Sequence, residues 1–533
     1  MTTWLCTAAI AAGVTLSVAA RADDGAGYTL WPAPSLQKVF RTDQPPAEPG
    51  PARVSAAANE VESVQVVITA GAVALEDVRV SVDLAEADFA GEAPEVTAAL
   101  FLPHYVPCPA AGHDFPDPLP PLPEAFRVEA NTSQPVWIEV SVGKGAKTGL
   151  HTGKVRVEPA NAPARSLPLK VEVYAFELPD GPLPVTTFGV SNEFIWQQHG
   201  VAADTPEAQR LTTAYYEFLL QHKVSAYNLP VDLRSDEAAQ YLNDPRLTSF
   251  VIPWREDEQY LRDTAAFLRE HGWLDKGYLY VVDEPISRDS YDQIKRVAEL
   301  AHRADPGLRL VAPFYRAPDW DDSLTPFDVL TGYLDIWCPN EQFFDLNPRI
   351  YEQFRERQAA GQTGWWYVCC GPGEPYNNFF VQMDGCAHRL IFTQMWRLGV
   401  SGLLYWSTTY WNPDSTVGTA DPWTDMGTVK NINPNIYGDG SLLYPGKKVG
   451  VDGPVGSIRL QLIRDGIEDW QYLHLLAERR GQAAADRASR ALCRSLTDYT
   501  RDPATVARLR DKIAQEIAGH APPSSGPPDS DFR

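Results

Sequence analysis

The pattern of hydrophobic and polar residues changes near residue 180, and the change divides the chain in two. Before it, short segments carry β-branched residues in partial alternation with polar ones and are bounded by Gly, Pro or Asn. Clear examples are residues 64–69, 136–142, 153–157 and 167–174. Such strands at short spacing are typical of a β-sandwich, so we predict an all-β N-terminal domain over residues 23–180.

Beyond a proline-rich segment at 178–184, strand patterns alternate with helical ones, which indicates βα units. Eight candidate strands lie at 186–190, 224–229, 247–252, 278–282, 309–315, 334–339, 364–369 and 402–407. Apolar residues at helical spacing occur at 206–222, 256–271, 290–303, 348–360, 385–398 and 457–478. The sequence thus predicts an α/β domain, a (β/α)8 TIM-like barrel over residues 181–515. The Pro- and Ser-rich tail, 516–533, is expected to be disordered.

Two adjacent carboxylates, Asp283 and Glu284, end the fourth candidate strand. Pro285 cannot continue the hydrogen-bonded ladder, so the strand stops there. The C-terminal ends of the strands are where α/β barrels hold their catalytic side chains. The other two Asp-Glu pairs, at 236–237 and 257–258, lie in polar, helix-like sequence. Asp283 and Glu284 are therefore the candidate catalytic residues; the alternative is an acidic strand end that caps a helix N-terminus.

Aromatic and amide residues at other strand ends suit a carbohydrate, because sugar C–H faces pack on aromatic rings while amides bind hydroxyls. The candidate substrate-binding residues are Asn192, Tyr315, Trp337, Asn340, Trp366, Tyr367, Trp406 and Trp411. Side chains alternate along a strand, so one of Tyr405 and Trp406 should point into the barrel. We expect this to be Trp406, as a floor beneath the sugar ring, although each aromatic taken singly could serve the core instead.

Adjacent residues have Cα atoms only about 3.8 Å apart and diverging side chains, so they cannot easily flank a glycosidic bond as paired carboxylates usually do. Adjacent carboxylates fit a substrate-assisted mechanism better, in which the oxygen of the substrate's own 2-acetamido group attacks the anomeric carbon. Asp283 would orient the acetamido group, and Glu284 would protonate the leaving oxygen. Repulsion from Asp283 would help to keep Glu284 protonated. Two alternatives stay open. One is a retaining glycosidase on a sugar without the acetamido group, with Glu193 or Glu341 as second carboxylate; the other is a catalytically silent glycan-binding protein.

The charge and the N-terminus restrict partners and location. A net charge of −23 on 533 residues, with no basic run, argues against nucleic acid and anionic membranes as partners.

The apolar stretch 5–19 and the A-x-A site at 20–22 predict a signal peptide over residues 1–22, although its first residues lack Lys and Arg. A signal peptide implies a periplasmic or secreted protein. No later apolar run is long enough for a membrane span. The oligomeric state stays open.

The cysteines predict no metal site. Six remain after residue 22: Cys108, Cys338, Cys369, Cys370, Cys386 and Cys493. Six thiols allow 15 disulfide pairings, and the sequence does not choose among them. None has the spacing of a zinc site, so we expect neither metal nor cofactor.

Several stretches resemble glycoside hydrolase family 123 and the broader DUF4091 group. They lie at 58–67, 115–120, 135–140, 148–153, 282–285, 402–406, 439–445 and 459–470. The resemblance implies a β-sandwich before a (β/α)8 barrel and a retaining β-N-acetylgalactosaminidase activity. It also implies that Asp283 and Glu284 match the family's adjacent catalytic pair. The preference for GalNAc over other N-acetylhexosamines rests on the resemblance alone.

Overall fold

The computed structural model describes residues 27–84, 95–411 and 420–519. The predicted signal peptide lies outside these residues. So does the predicted tail from residue 520 onward, whereas residues 516–518 are part of the last helix. None of the helices in the described part of the chain is long and apolar enough to cross a membrane.

The N-terminal region is β-rich, as the sequence predicts. Its strands are β1 (Tyr28–Pro34), β2 (Ala52–Ala58), β3 (Glu60–Ala70), β4 (Leu75–Leu84), β5 (Val96–Phe101), β6 (Tyr105–Cys108), β7 (His113–Pro116), β8 (Pro118–Leu119), β9 (Phe126–Val128), β10 (Ser133–Val142), β11 (Gly149–Glu158) and β12 (Arg165–Glu177). One sheet has the order β1-β3-β10-β5, and a second has the order β2-β12-β11-β4-β9. Alternate residues of both sheets, such as Val66, Ile138 and Val171, share one buried core.

The C-terminal region alternates strands and helices. Its strands are β13 (Val185–Phe188), β14 (Phe250–Val251), β15 (Gly277–Tyr280), β16 (Leu310–Phe314), β17 (Ile336–Pro339), β18 (Thr363–Val368), β19 (Gly402–Tyr405), β20 (Tyr444–Pro445) and β21 (Pro454–Ser457). Its helices are α1 (Asn192–His199), α2 (Pro206–Gln221), α3 (Ala238–Leu242), α4 (Glu258–Glu270), α5 (Arg288–Ala304), α6 (Pro326–Leu330), α7 (Phe343–Leu346), α8 (Pro348–Ala359), α9 (Gly385–Leu398), α10 (Ile458–Arg480), α11 (Gln482–Leu492) and α12 (Pro503–Ala518).

Short polar side chains fix where the principal helices begin. A side-chain oxygen of Thr205, Asp257, Ser287, Asp384 and Ser457 accepts a hydrogen bond from a first-turn backbone N–H of α2, α4, α5, α9 and α10, respectively. These N-caps satisfy donors that the helix itself leaves unpaired. Each cap lies within three residues of the helix start that the periodicity predicts.

The parallel sheet has seven strands, in the order β13-β19-β18-β17-β16-β15-β14, so the prediction of eight full strands needs correction. The expected second strand, 224–229, forms only one parallel bridge, from Ala226 to Phe188. Backbone hydrogen bonds nevertheless link this segment to both edges: Tyr227 donates to the Phe188 carbonyl at 2.9 Å and accepts from Val251 at 2.7 Å. The ladder cannot extend further because Pro230 follows and lacks an N–H.

Strand alternation divides the sheet's side chains between two cores. Tyr278, Ile336, Trp365, Tyr367 and Leu404 share the inner cluster. Their immediate neighbours on the same strands point instead to the larger cluster beneath the helices. Residues that continue the inward set past the ends of the strands therefore reach the mouth of the sheet.

The two regions are joined by pairing of β8 with β21 and by buried charges. Arg459 at the start of α10 donates to Asp117 through Nε at 2.9 Å and Nη2 at 2.8 Å, and neither side chain is exposed to solvent. A second buried group contains Glu60, Glu62, Arg389, Asp469 and Arg510. Buried ion pairs of this quality are costly to break, because removing one partner strands the other charge.

Candidate active site

The turn after β15 brings both candidate carboxylates to one cleft. Asp283 is exposed and Glu284 is half-buried, and both line a cleft of about 280 Å³. Glu284 has a φ of 41°, a left-handed conformation that residues with a Cβ adopt at a cost. On a straight strand the two side chains would point to opposite faces. The left-handed residue before Pro285 changes the direction of the chain and removes that conflict.

Each carboxylate accepts a hydrogen bond from its own tyrosine. The Tyr280 hydroxyl donates to Asp283 Oδ1 at 2.7 Å, and the Tyr367 hydroxyl donates to Glu284 Oε1 at 2.5 Å. Tyr280 lies on β15 and Tyr367 on β18, and both belong to the inward-facing set. Burial raises the pKa of both phenols well above the ordinary value, so both remain protonated donors at neutral pH.

The surroundings of Glu284 favour its protonated form. Burial raises the pKa of Glu284 above its ordinary value, and the nearby charge of Asp283 raises it further. The Tyr367 hydrogen bond acts in the opposite direction, since it favours the ionised carboxylate. Glu284 is thus suited to donate a proton, whereas Asp283 is exposed to solvent.

An indole forms another part of the cleft wall. Trp406 Nε1 donates to both carboxylate oxygens of Asp439, at 3.2 and 3.1 Å, and its ring centroid lies 4.8 Å from that of Tyr410. Gly440, with a φ of 69°, lies directly against the ring, since a Cβ there would come within 2.3 Å of an indole carbon. These contacts hold the plane of Trp406 in a fixed orientation.

Asp439 is a fully buried carboxylate in the same wall. It accepts from the Tyr405 hydroxyl at 3.1 Å as well as from Trp406. Burial raises the pKa of Asp439 to about 6, against the opposing effect of these hydrogen bonds. Its charge state therefore changes within the range of pH in which enzymes commonly work.

Comparison with known families decides the class of protein. The family described as "Glycoside hydrolase 123, catalytic domain" matches residues 212–476, which include the carboxylate pair, Trp406 and Asp439. The chain belongs to glycoside hydrolase family 123. The resemblance inferred from the sequence is thereby confirmed.

A solved structure agrees with this family 123 assignment. The chain is similar to a family 123 glycoside hydrolase from Clostridium perfringens at 13% identity, with 92% of this chain and 99% of that chain covered and a TM-score of 0.67. At this identity the likeness shows a shared fold and no more. A family 5 xyloglucanase from Bacteroides ovatus (9% identity, 83% and 100% covered, TM-score 0.27) and a family 39 glycoside hydrolase from Bacteroides cellulosilyticus (10%, 73% and 80%, 0.32) align too weakly to carry an argument. No curated protein matches the chain.

The structure brings four of the ten expected site residues of this family 123 hydrolase to the cleft: Asp283, Glu284, Tyr367 and Trp406. Six expected substrate-binding residues do not line it: Asn192, Tyr315, Trp337, Asn340, Trp366 and Trp411. The alternative carboxylates Glu193 and Glu341 do not line it either. Glu341 is fully buried, and that burial raises its pKa well above the ordinary value.

Strand register explains two of these placements. Trp337 and Trp366 are the outward neighbours of inward residues on β17 and β18, so they pack beneath the helices. Trp337 stacks on Phe327 with ring centroids 4.4 Å apart. Both belong to the core of the hydrolase.

Local hydrogen bonds account for two more, Trp411 and Asn340. Trp411 is buried and donates to Ser441 Oγ at 2.9 Å. Asn340 donates to the Gly371 carbonyl at 3.3 Å and is nearly buried. Asn192 is the first residue of α1, and Tyr315 is an exposed residue after β16.

The expected site residues do not include Tyr280, Tyr410, Asp439 and the thiols of Cys369 and Cys370, which also line the cleft. Tyr280 could have been found, because it continues the inward alternation that begins at Tyr278. Periodicity does not point to Asp439, because it lies outside any strand; the signal in the sequence is that it begins the stretch 439–445, which resembles the family. Among the residues in the structure, no cluster of three or more His, Cys, Asp or Glu side chains is arranged to hold a metal ion.

Proposed function

We propose that this family 123 hydrolase removes a terminal β-linked N-acetylhexosamine, with GalNAc favoured, by a substrate-assisted retaining mechanism. The observation that carries the proposal is the asymmetric carboxylate pair. Asp283 and Glu284 share one cleft, in which Asp283 is exposed and Glu284 is half-buried in surroundings that favour its protonated form. One anion and one acid on adjacent residues suit a reaction in which the nucleophile belongs to the substrate.

The tyrosine contacts support a specific division of labour. Tyr280 occupies Asp283 Oδ1, which leaves Oδ2 to accept the N–H of the 2-acetamido group. The acetamido oxygen then attacks the anomeric carbon while Glu284 gives its proton to the departing oxygen. In the second half, Glu284 takes a proton from the water that opens the cyclic intermediate. Two inversions at the anomeric carbon give overall retention.

The cleft suits the end of a glycan. A volume of about 280 Å³ lies at the small end of ligand pockets, which favours one terminal sugar ring over a polymer segment. We place the ring on the indole face of Trp406, since aromatic rings pack against the C–H faces of sugars.

The Clostridium perfringens relative is described as hydrolysing glycolipid glycans, so glycans of that class are the first natural substrates to try. The apolar N-terminal stretch motivates export as part of this proposal.

Kinetics on two substrates with matched sugars tests the roles. Glu284→Gln should lose roughly 10²–10⁴-fold in turnover on an alkyl glycoside, whose poor leaving group needs the proton. It should lose much less on a nitrophenyl glycoside. Asp283→Asn should lose activity on both, because acetamido attack is required in each. Equal losses by both variants on both substrates would remove the assignment.

A further inference from the structure

Two adjacent thiols lie in the wall of the active-site cleft, and the proposed reaction uses neither. Cys369 and Cys370 follow β18 directly, just beyond Tyr367, and their sulfur atoms are 3.7 Å apart. Both side chains are partly exposed. The other four cysteines of the described chain, Cys108, Cys338, Cys386 and Cys493, are buried and at most 1% exposed. A reagent in the cleft can therefore reach this pair and not the rest.

The loop that carries the pair is held in place by hydrogen bonds. The fully buried Asn378 donates through Nδ2 to the carbonyls of Cys369 at 2.9 Å and Pro372 at 2.8 Å. The Cys369 N–H donates to the Gly371 carbonyl at 3.0 Å. The two sulfurs are thus presented together at a defined place.

The contact between the thiols makes them unequal. The contact with the neighbouring sulfur lowers the pKa of Cys370 and raises the pKa of Cys369. Cys370 is therefore the more acidic thiol. Because the thiolate is the reactive form, Cys370 is the sulfur that attacks first.

We propose that Cys369 and Cys370 form a covalent modification site, which a small disulfide oxidant such as oxidised glutathione converts to a disulfide between neighbouring residues. The Cys370 thiolate attacks one sulfur of the oxidant, breaks its S–S bond and releases one thiol. The Cys369 thiolate then attacks Cys370, forms the new S–S bond and releases the second thiol. The two cysteines lose two electrons, which reduce the oxidant, and their two protons end on the released thiols.

The product belongs to the labile class of disulfides. Neighbouring Cα atoms are about 3.8 Å apart, below the 4.4–6.8 Å that disulfides usually span. Partly exposed disulfides outside the usual geometry are readily reduced and serve regulation or chemistry more often than structure. Oxidation would also replace two polar S–H groups of the cleft wall with an apolar S–S group. This group would lie near Tyr367, whose hydroxyl donates to Glu284, the proposed general acid.

Mass spectrometry of the full-length chain tests the proposal. Treatment with oxidised glutathione should lower the intact mass by two hydrogen atoms per chain, dithiothreitol should restore it, and the change should map to the peptide that carries both cysteines. Reduced protein should bind one phenylarsine oxide per chain, and oxidised protein none. Cys386→Ala, which keeps the pair and removes a buried thiol, should behave as the parent. Cys369→Ser and Cys370→Ser should each abolish both effects.

An unchanged mass would overturn the proposal, as would glutathione that stays attached to Cys370 in the parent chain without ring closure. Loss of the two hydrogens in either serine variant would overturn it too. None of these readouts uses a glycoside, so the proposal can fail while the proposed function stands, and the reverse.

Discussion

Removal of one hydroxyl, in Tyr367→Phe, should move the alkaline limb of the pH–rate profile to higher pH. In the structure this hydroxyl donates to Glu284 Oε1 at 2.5 Å and holds the pKa of Glu284 below the value that burial and Asp283 alone would give. In the role proposed for it, Glu284 gives up a proton and works only while it is protonated, so activity should be lost as the pH rises through its pKa. Without the hydrogen bond that pKa rises, and the acid form persists to higher pH.

The size of the shift follows from the charge on the acceptor. Hydrogen bonds to charged groups contribute about 1.5–3 kcal/mol, and one pKa unit corresponds to about 1.36 kcal/mol. We therefore expect the alkaline limb of kcat/KM to move up by about 1–2 pH units. The assay is kcat/KM against pH on a substrate with a poor leaving group, because this ratio reports the free enzyme's acid and base.

Two controls make the experiment specific. Tyr280→Phe removes the same kind of hydroxyl from Asp283 and should leave the alkaline limb in place. Tyr291→Phe removes a buried hydroxyl that forms no hydrogen bond within the described ranges of the chain, so its profile should match that of the parent. If the alkaline limb of Tyr367→Phe were unchanged or moved to lower pH, the hydrogen bond would not control the pKa of Glu284. An equal shift in Tyr291→Phe would also refute this role of the Tyr367 hydroxyl.

Three further predictions test other parts of the structure. Trp406→Ala should raise KM about fivefold or more, since ring stacking contributes about 1 kcal/mol; a lowered melting temperature with full specific activity would make Trp406 a core residue instead. As the pH falls through about 6, Asp439 is protonated and its hydrogen bond to Trp406 weakens, so the KM of the parent should rise. The KM of Asp439→Asn should not depend on pH in this way. An equal rise in the KM of parent and variant would contradict this role of Asp439. Asp117→Asn leaves Arg459 buried without its counter-charge, so urea unfolding should show a loss of about 3–5 kcal/mol. Asp83→Asn, in an exposed ion pair, should lose less than about 1 kcal/mol; equal losses would contradict the role of burial.

Periodicity predicted the order and type of most elements because helices and strands bury residues at different spacings. The helix α9 begins and ends where the pattern does. The length of the second predicted barrel strand was overestimated. Residues 224–229 are apolar enough for a strand, but Pro230 limits the backbone hydrogen bonds that they can form.

The candidate site could be predicted only where a single segment of the sequence contains it. Asp283 and Glu284 stand at a visible strand end, so the sequence alone locates them. Register was the missing information for Trp337 and Trp366, because a shift of one residue moves a side chain from the mouth to the helix layer. Asp439 reaches the cleft through long-range packing that no local pattern encodes.

The most direct test of the mechanism compares two aryl β-glycosides that differ only at carbon 2 of the sugar. Substrate assistance requires the acetamido group, so the parent chain should release the aglycone from the N-acetyl-β-galactosaminide and leave the 2-hydroxy analogue essentially uncleaved. Equal or faster cleavage of the 2-hydroxy analogue would contradict the account. So would binding of N-acetylhexosaminides without turnover, if Asp283→Asn left the affinity intact.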